Sequence, residues 1–434
     1  MLRGIDRGAD ILGLFNQPLQ VDLLAAEACR RVGAEDFGEW SFREPLAVLL
    51  QAYQEEAGLT AFGRVAARWD MLRFLCNLLR LRLEEKNTPK IVHEEVKQPI
   101  FLMGLPRSGT TFLHNLLAQD PANLAVRCWQ AIYPYPLREQ PSGEPDRRQR
   151  TVSRQFASFL RLAPELPSVH PLEADAAQEC IEITGQVFRS LRFDTTHYVP
   201  SYERWLDQAG HHEAYRFHKR FLQHLQYQSG PGRWVLKSPD HIFAMNALLE
   251  TYPDAQYVFV HRDPLEVLSS VARLTEILRQ PFARRVDRMQ IGQQVSSRWV
   301  QGARLLIKAS KTLKALPARV LHLHYRSLVR DPLAAVTAIY SHFGLTLTPE
   351  AEGRARHFVA ERPNGGYARN AYCLEDYGLN PQAEHRRFYD YITHFRIGSE
   401  GLANIDSRGR DVRRPTKAHE TSNAGSSERS AFRV

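Results

Sequence analysis

Gln98-Pro-Ile-Phe-Leu-Met-Gly-Leu-Pro-Arg-Ser-Gly-Thr-Thr-Phe-Leu113 is the stretch around which the rest of the chain is organised. Ile100 to Met103 is a short apolar run, the pattern of a strand buried on both faces. Gly104 to Gly109 reads as a tight turn punctuated by Gly and Pro. Thr110 to Gln119 reads as a helix with Leu113, Leu116 and Leu117 on one face. A strand, a glycine loop and a helix start together make an anion site, because free backbone N–H groups converge where the helix dipole is positive. The spacing GxxxxG followed by Thr-Thr is a P-loop frame, but Thr110 stands where a P-loop has Lys. That Lys grips the phosphates of a metal-bound triphosphate. Its absence argues against such a ligand, and Arg107 inside the loop supplies positive charge instead. The plain alternative is an ordinary glycine turn between strand and helix.

A chain of 434 residues exceeds one average domain. With 43% hydrophobic and 24% charged residues it has a globular composition. A net charge of +9 with a strong excess of Arg over Lys suits phosphate or sulfate recognition. No zinc-finger, RNA-recognition or helix-turn-helix signature accompanies it, so nucleic acid is not an expected partner. The five cysteines are scattered and form no CxxC, which points to reduced thiols rather than a disulfide framework or zinc site. The first residues lack an apolar signal-peptide core, and no run approaches a transmembrane length. Together these predict a cytoplasmic protein.

Working outward, residues 1–90 read as a helical extension, with helices over Pro18 to Val32, Glu44 to Ala57 and Ala61 to Lys86. Residues 121–150 are rich in Pro and read as an irregular, substrate-facing loop. Helices are expected over 147–163, 172–192 and 201–228. Beyond them, strands at 233–237, 256–261 and 319–325 alternate with helices over 241–251, 264–280, 287–314, 332–343 and 349–360. This alternation predicts a P-loop-like parallel sheet flanked by helices, an α/β domain over 91–400. Residues 401–434 lack apolar periodicity and read as a disordered tail. Ligands of such sheets sit at the carboxyl ends of the strands, which places Arg107, Lys237, Arg262 and Tyr325 at one rim.

The loop Pro106 to Thr111, the segment Leu236-Lys-Ser-Pro-Asp-His241, the segment Val260-His-Arg-Asp-Pro264 with Ser269-Ser270, and Leu323-His-Tyr325 resemble the sulfotransferases that use 3′-phosphoadenosine 5′-phosphosulfate. The likeness is to the bacterial branch related to tyrosylprotein sulfotransferases and covers about 98–395. The resemblance implies that Arg107, Ser108, Gly109, Thr110 and Thr111 hold the 5′-phosphosulfate. It implies that Arg262 and Ser270 bind the 3′-phosphate, that Tyr325 contacts the nucleotide, and that Lys237 is the family's lysine after the second strand. Sulfuryl transfer is chiefly positioning and charge stabilisation, so Arg107 and Lys237 can stabilise a phosphate leaving group without a metal. Gly365 to Gly378 is similar to the branch's C-terminal segment, with Arg369 as a nucleotide contact.

The general base is less legible. Related enzymes place a Glu downstream of the loop, where this chain has Gln130, which cannot accept a proton. Glu179 and His241 are the main candidates, with Glu173, Asp175 and His170 as further options. His211-His212 lacks a third ligand at metal-site spacing and reads as a solvated helix start. The expected activity is sulfuryl transfer to a hydroxyl, or less readily an amine, of a small molecule, glycan or lipid. Two rivals stand beside it: a P-loop kinase of a small metabolite, and a non-catalytic protein that binds the nucleotide.

Overall fold

A computed structural model describes residues 19–136, 146–162, 164–169, 172–362 and 373–398. The expectations for Arg369, His170, the 401–434 tail and the first residues of the chain therefore lie outside the described residues.

Helices α1 (Val21–Val32), α2 (Arg43–Glu55) and α3 (Ala61–Asn87) precede the sheet. Strand β1 (Ile100–Met103) leads through the glycine loop into α4 (Thr110–Leu117). A two-residue strand β2 (Asn123–Leu124) and a short helix (Cys128–Ile132) follow, then α5 (Arg147–Leu160), α6 (Pro200–Ala209) and α7 (His212–Ser229). The remaining half alternates: β3 (Arg233–Lys237), α8 (Met245–Thr251), β4 (Gln256–His261), α9 (Pro264–Arg279), α10 (Arg288–Leu313), β5 (Val320–His324), α11 (Pro332–His342) and α12 (Pro349–Ala360).

The five strands form one sheet in the order β2-β3-β1-β4-β5, and every pairing is parallel. Ile100 is in register with Val235 on one side and Gln256 on the other. β1 is therefore central, and the connections that leave it and its neighbour β4 run to opposite sides, to β2 and to β5. That is the switch point at which an open α/β sheet binds ligands. Alternate residues divide between two cores, as the period of a strand requires. Phe101, Met103, Leu236, Tyr257 and Phe259 pack with the N-terminal helices in one core. Ile100, Leu102, Val235, Val258 and Val260 pack with Leu113, Leu116 and Leu117 of α4 in the other.

Three expectations change. Residues 121–150 include the edge strand β2 and a helix at 128–132, too short to carry a periodic signal. The expected helix over 172–192 is not continuous. Its first part is irregular backbone, held because Gln178 N–H donates to Val126 O at 2.7 Å and Cys180 N–H donates to Lys237 O at 2.9 Å. Partners distant in sequence thereby override local propensity. Finally, His211 is buried rather than solvated, and burial lowers its pKa to about 4.

Candidate active site

Two glycines fix the loop after β1. Gly104 has φ +153°, and a Cβ there would lie 2.4 Å from Val260 O of β4. Gly109 has φ +84°, and its Cβ would lie 2.9 Å from Cδ2 of Tyr325. Neither position accepts a side chain without displacing its neighbour. Between them Arg107 itself adopts φ +62°, an uncommon conformation for a residue with a Cβ. It is held from two sides: its Nε donates to Ser270 Oγ at 3.1 Å, and its carbonyl accepts from Arg262 Nη1 at 2.6 Å. Arg262 also donates to Glu266 at 2.9 Å and lies 4.1 Å over the Tyr325 ring. The structure thus brings Arg107, Arg262, Ser270 and Tyr325 into one cluster. Ser108 is fully buried in the loop, and its hydroxyl has no hydrogen-bond partner among the described residues. An unsatisfied buried hydroxyl costs about 1–3 kcal/mol, so a ligand oxygen at this point would be favoured.

Beside the loop, Lys237 at the end of β3 is 4% exposed. Its ammonium donates to Thr111 Oγ1 at 2.8 Å and forms an ion pair with Glu179. Glu179 reaches this place because the backbone of residues 176–180 is bonded to Val126 and Cys128 on one side and to Lys237 at the end of β3 on the other. Beneath Lys237, the buried His114 ring donates to the Val235 carbonyl at 2.9 Å. Burial drives its pKa down to about 4, so it stays neutral below the ammonium.

The other base candidates do not join this group. His241 is fully buried, 4.9 Å edge-on from Phe101, and shares a 2.5 Å hydrogen bond with Tyr215. It faces the core beneath β1. Burial holds its pKa well below the usual imidazole value. Gln130 caps its own short helix, its Oε1 accepting from Arg127 N–H at 2.9 Å. Asp175 accepts from the Trp129 indole at 3.0 Å and is exposed, as is Glu173.

Arg107, Thr111, Lys237 and Glu179 open into a cavity of about 620 Å³, within the usual size range of small-molecule sites. Phe62, Val65, Trp69, Phe156, Phe159, Leu166, Leu172, Val271, Leu274, Leu278 and Phe282 make most of its wall apolar. Phe282 is stacked between Phe62 and Phe159, with centroids 5.9 and 6.0 Å away. Part of the remaining wall is a closed ring of alternating charges. Arg73 bonds Glu182 at 2.6 Å and Asp70 at 3.0 Å, and Arg192 bonds the same two carboxylates at 2.7 Å each. Burial alone would raise the Asp70 pKa, but the two guanidiniums outweigh it and hold it low. The wall also holds Asp240, whose carboxylate accepts from Leu191 N–H at 3.0 Å and whose pKa is pushed up to about 7 by burial. Sequence reasoning missed the charge ring and Asp240. The two bonds that close the ring, Arg73 to Glu182 and Arg192 to Asp70, span 109 and 122 positions, a separation that leaves no local signal.

A glycine loop after the central strand, a buried ammonium at the neighbouring strand end and an adjoining apolar cavity form an arrangement suited to a group-transfer enzyme. The chain belongs to the sulfotransferase family, whose model matches residues 99–349. Among solved structures it is similar to sulfotransferase STF1 from Mycobacterium tuberculosis. The two are 34% identical with a TM-score of 0.76, covering 86% of this chain and 98% of that one. Sulfotransferase STF9 from Mycobacterium avium is 29% identical with a TM-score of 0.79, covering 87% of this chain and 97% of that one. Stf3, the omega-hydroxy-beta-dihydromenaquinone-9 sulfotransferase of Mycobacterium bovis and Mycobacterium tuberculosis, is 26% identical over 296 residues. That match spans 64% of this chain and 70% of Stf3.

Proposed function

We propose that this sulfotransferase takes its sulfuryl group from 3′-phosphoadenosine 5′-phosphosulfate and passes it to a hydroxyl of an apolar, lipid-like acceptor, by in-line, metal-independent transfer. One observation carries the reading: the loop with the unpartnered Ser108 hydroxyl and the Lys237–Glu179 pair lie side by side at the edge of the apolar cavity. The donor supplies the sulfuryl group and a bisphosphate leaving group. Ser108 and the N–H groups of residues 107–111 cradle its 5′ end, while Arg262 and Ser270 take the 3′-phosphate beside Tyr325. Lys237 and Arg107 stabilise charge on the departing phosphate oxygen. Glu179, hydrogen-bonded to Lys237, accepts the proton of the acceptor hydroxyl. The apolar wall favours a lipid over a glycan, in keeping with the lipid quinone in the name of Stf3.

Calorimetry with 3′-phosphoadenosine 5′-phosphate and with ATP, each with and without Mg²⁺, tests the donor. Tight binding of the bisphosphate independent of metal is expected. Metal-dependent ATP binding without bisphosphate binding would make the chain a kinase. Transfer of labelled sulfate to a series of alcohols of rising chain length tests the acceptor, with turnover rising as the chain lengthens. Bisphosphate binding without transfer to any acceptor would leave a binding protein.

A further inference from the structure

The cavity reaches the surface through α3 and α5. Val65 and Trp69 of α3 line it and are nevertheless 43% and 44% exposed. Large apolar side chains this exposed at the mouth of an apolar cavity have a solvation cost that a covering surface would remove. Phe156 and Phe159 of α5 line the same cavity.

The other side of α5 is basic. At 100° per residue Arg147, Arg150, Arg154 and Arg161 fall within about 60° of one another, with Val152, Phe156, Phe159 and Leu160 opposite. All four arginines are exposed. No Asp or Glu occurs from 147 to 164, Arg150 is already engaged by a partner, and Glu165 is paired with Arg273. Arg148 is set apart from the stripe: it is buried, bonded to Asp146 at 2.7 Å and stacked on Trp129. On the loop that carries Phe282, Arg284 and Arg285 are exposed, but Arg285 is paired with Asp287 at 3.6 Å, so this loop adds little net charge. One helix, α5, thus carries an exposed basic stripe on one side and lines the apolar cavity with the other.

We propose that this mouth docks on an anionic phospholipid bilayer, with the α5 arginines on the headgroups and Trp69 and Val65 at the interface. The proposal rests on the reading of the acceptor as a lipid, because it gives such an acceptor a path from bilayer to cavity without crossing water. A nucleic acid would satisfy the arginines but not the apolar opening, so the bilayer is the better fit.

The test uses the full chain and sedimentation with phosphatidylcholine vesicles, with and without phosphatidylglycerol. Binding is expected only with phosphatidylglycerol and should weaken as salt rises. The triple variant Arg147→Gln, Arg154→Gln, Arg161→Gln should bind on the order of a hundredfold more weakly, from the free energy each arginine contributes near an anionic surface. Its turnover of a short soluble alcohol should stay unchanged. Arg154→Glu alone, with a smaller loss, serves where the triple variant is unstable. Absence of binding to phosphatidylglycerol vesicles overturns the proposal, as does binding that the variants leave intact. Tighter binding to duplex DNA than to vesicles also overturns it. Turnover in the unmodified protein that does not rise along the series of alcohols of increasing chain length would instead refute the acceptor reading, so the two failures are distinct.

Discussion

Glu179→Gln separates catalysis from scaffolding at the centre of the site. Glu179 and Lys237 form an ion pair whose side chains are 16% and 5% exposed. Removing one partner of a buried pair costs roughly 3–5 kcal/mol when the other charge is stranded. Gln keeps a hydrogen-bonding oxygen, and Lys237 retains Thr111 Oγ1 at 2.8 Å, so the stability loss should fall at or below the lower end of that range. The rate should suffer more. Losing a positioned base costs about 10²–10⁴-fold in turnover, equivalent to about 3–5.5 kcal/mol of barrier. The assay compares kcat for an aliphatic alcohol with kcat for a nitrophenol, whose hydroxyl is already ionised near neutral pH. A base is needed for the first acceptor and not for the second, so the loss should shrink sharply with the nitrophenol. Equal losses with both acceptors would refute the role of base and leave Glu179 as a support for Lys237.

Other variants probe the rest of the site. Arg262→Ala removes the 2.6 Å bond to the Arg107 carbonyl as well as a candidate phosphate contact. It should weaken bisphosphate affinity by roughly 2–3 kcal/mol in calorimetry and lower kcat too, and an effect on affinity alone would show that the loop does not depend on it. Gly109→Ala meets both the +84° φ and the Tyr325 ring at 2.9 Å. A loss of about 1–3 kcal/mol in denaturant unfolding is expected, together with weaker bisphosphate binding. Asp240 holds its proton in the folded state up to about pH 7, whereas an unfolded Asp ionises near pH 4. Its contribution to stability therefore falls as pH rises from about 4 to about 7, by at most about 4 kcal/mol, and is level above. Asp240→Asn should remove that slope from the difference between the two unfolding curves, and parallel curves would contradict the raised pKa.

The sheet was legible because its signals are local. The apolar run 100–103, the strands at 233–237 and 256–261, and the proline-started helices from 264, 332 and 349 coincide with the structure to within a residue or two. So was the conformation of the loop, because Gly104, Arg107 and Gly109 lie within one turn of chain. The convergence of Arg107, Arg262, Ser270 and Tyr325 followed from a rule about parallel sheets that needs only the positions of strand ends. The acceptor side behaved differently. Glu179 and His241 looked alike as candidates in sequence, and only packing separates them. Lys237 O and Val126 O draw the 176–180 backbone past the ammonium, while Phe101 and Tyr215 enclose the imidazole.

The sequence by itself determined the central strand, the glycine loop that follows it and the parallel α/β frame, since backbone conformation and hydrophobic period are properties of neighbouring residues. Tertiary structure alone decided which carboxylate meets Lys237. It also closed the ring of Arg73, Asp70, Arg192 and Glu182, and set exposed Trp69 on the same cavity as the basic helix α5. These depend on side chains from segments about a hundred residues apart, and such contacts exist only once the hydrophobic cores have fixed the helices against the sheet.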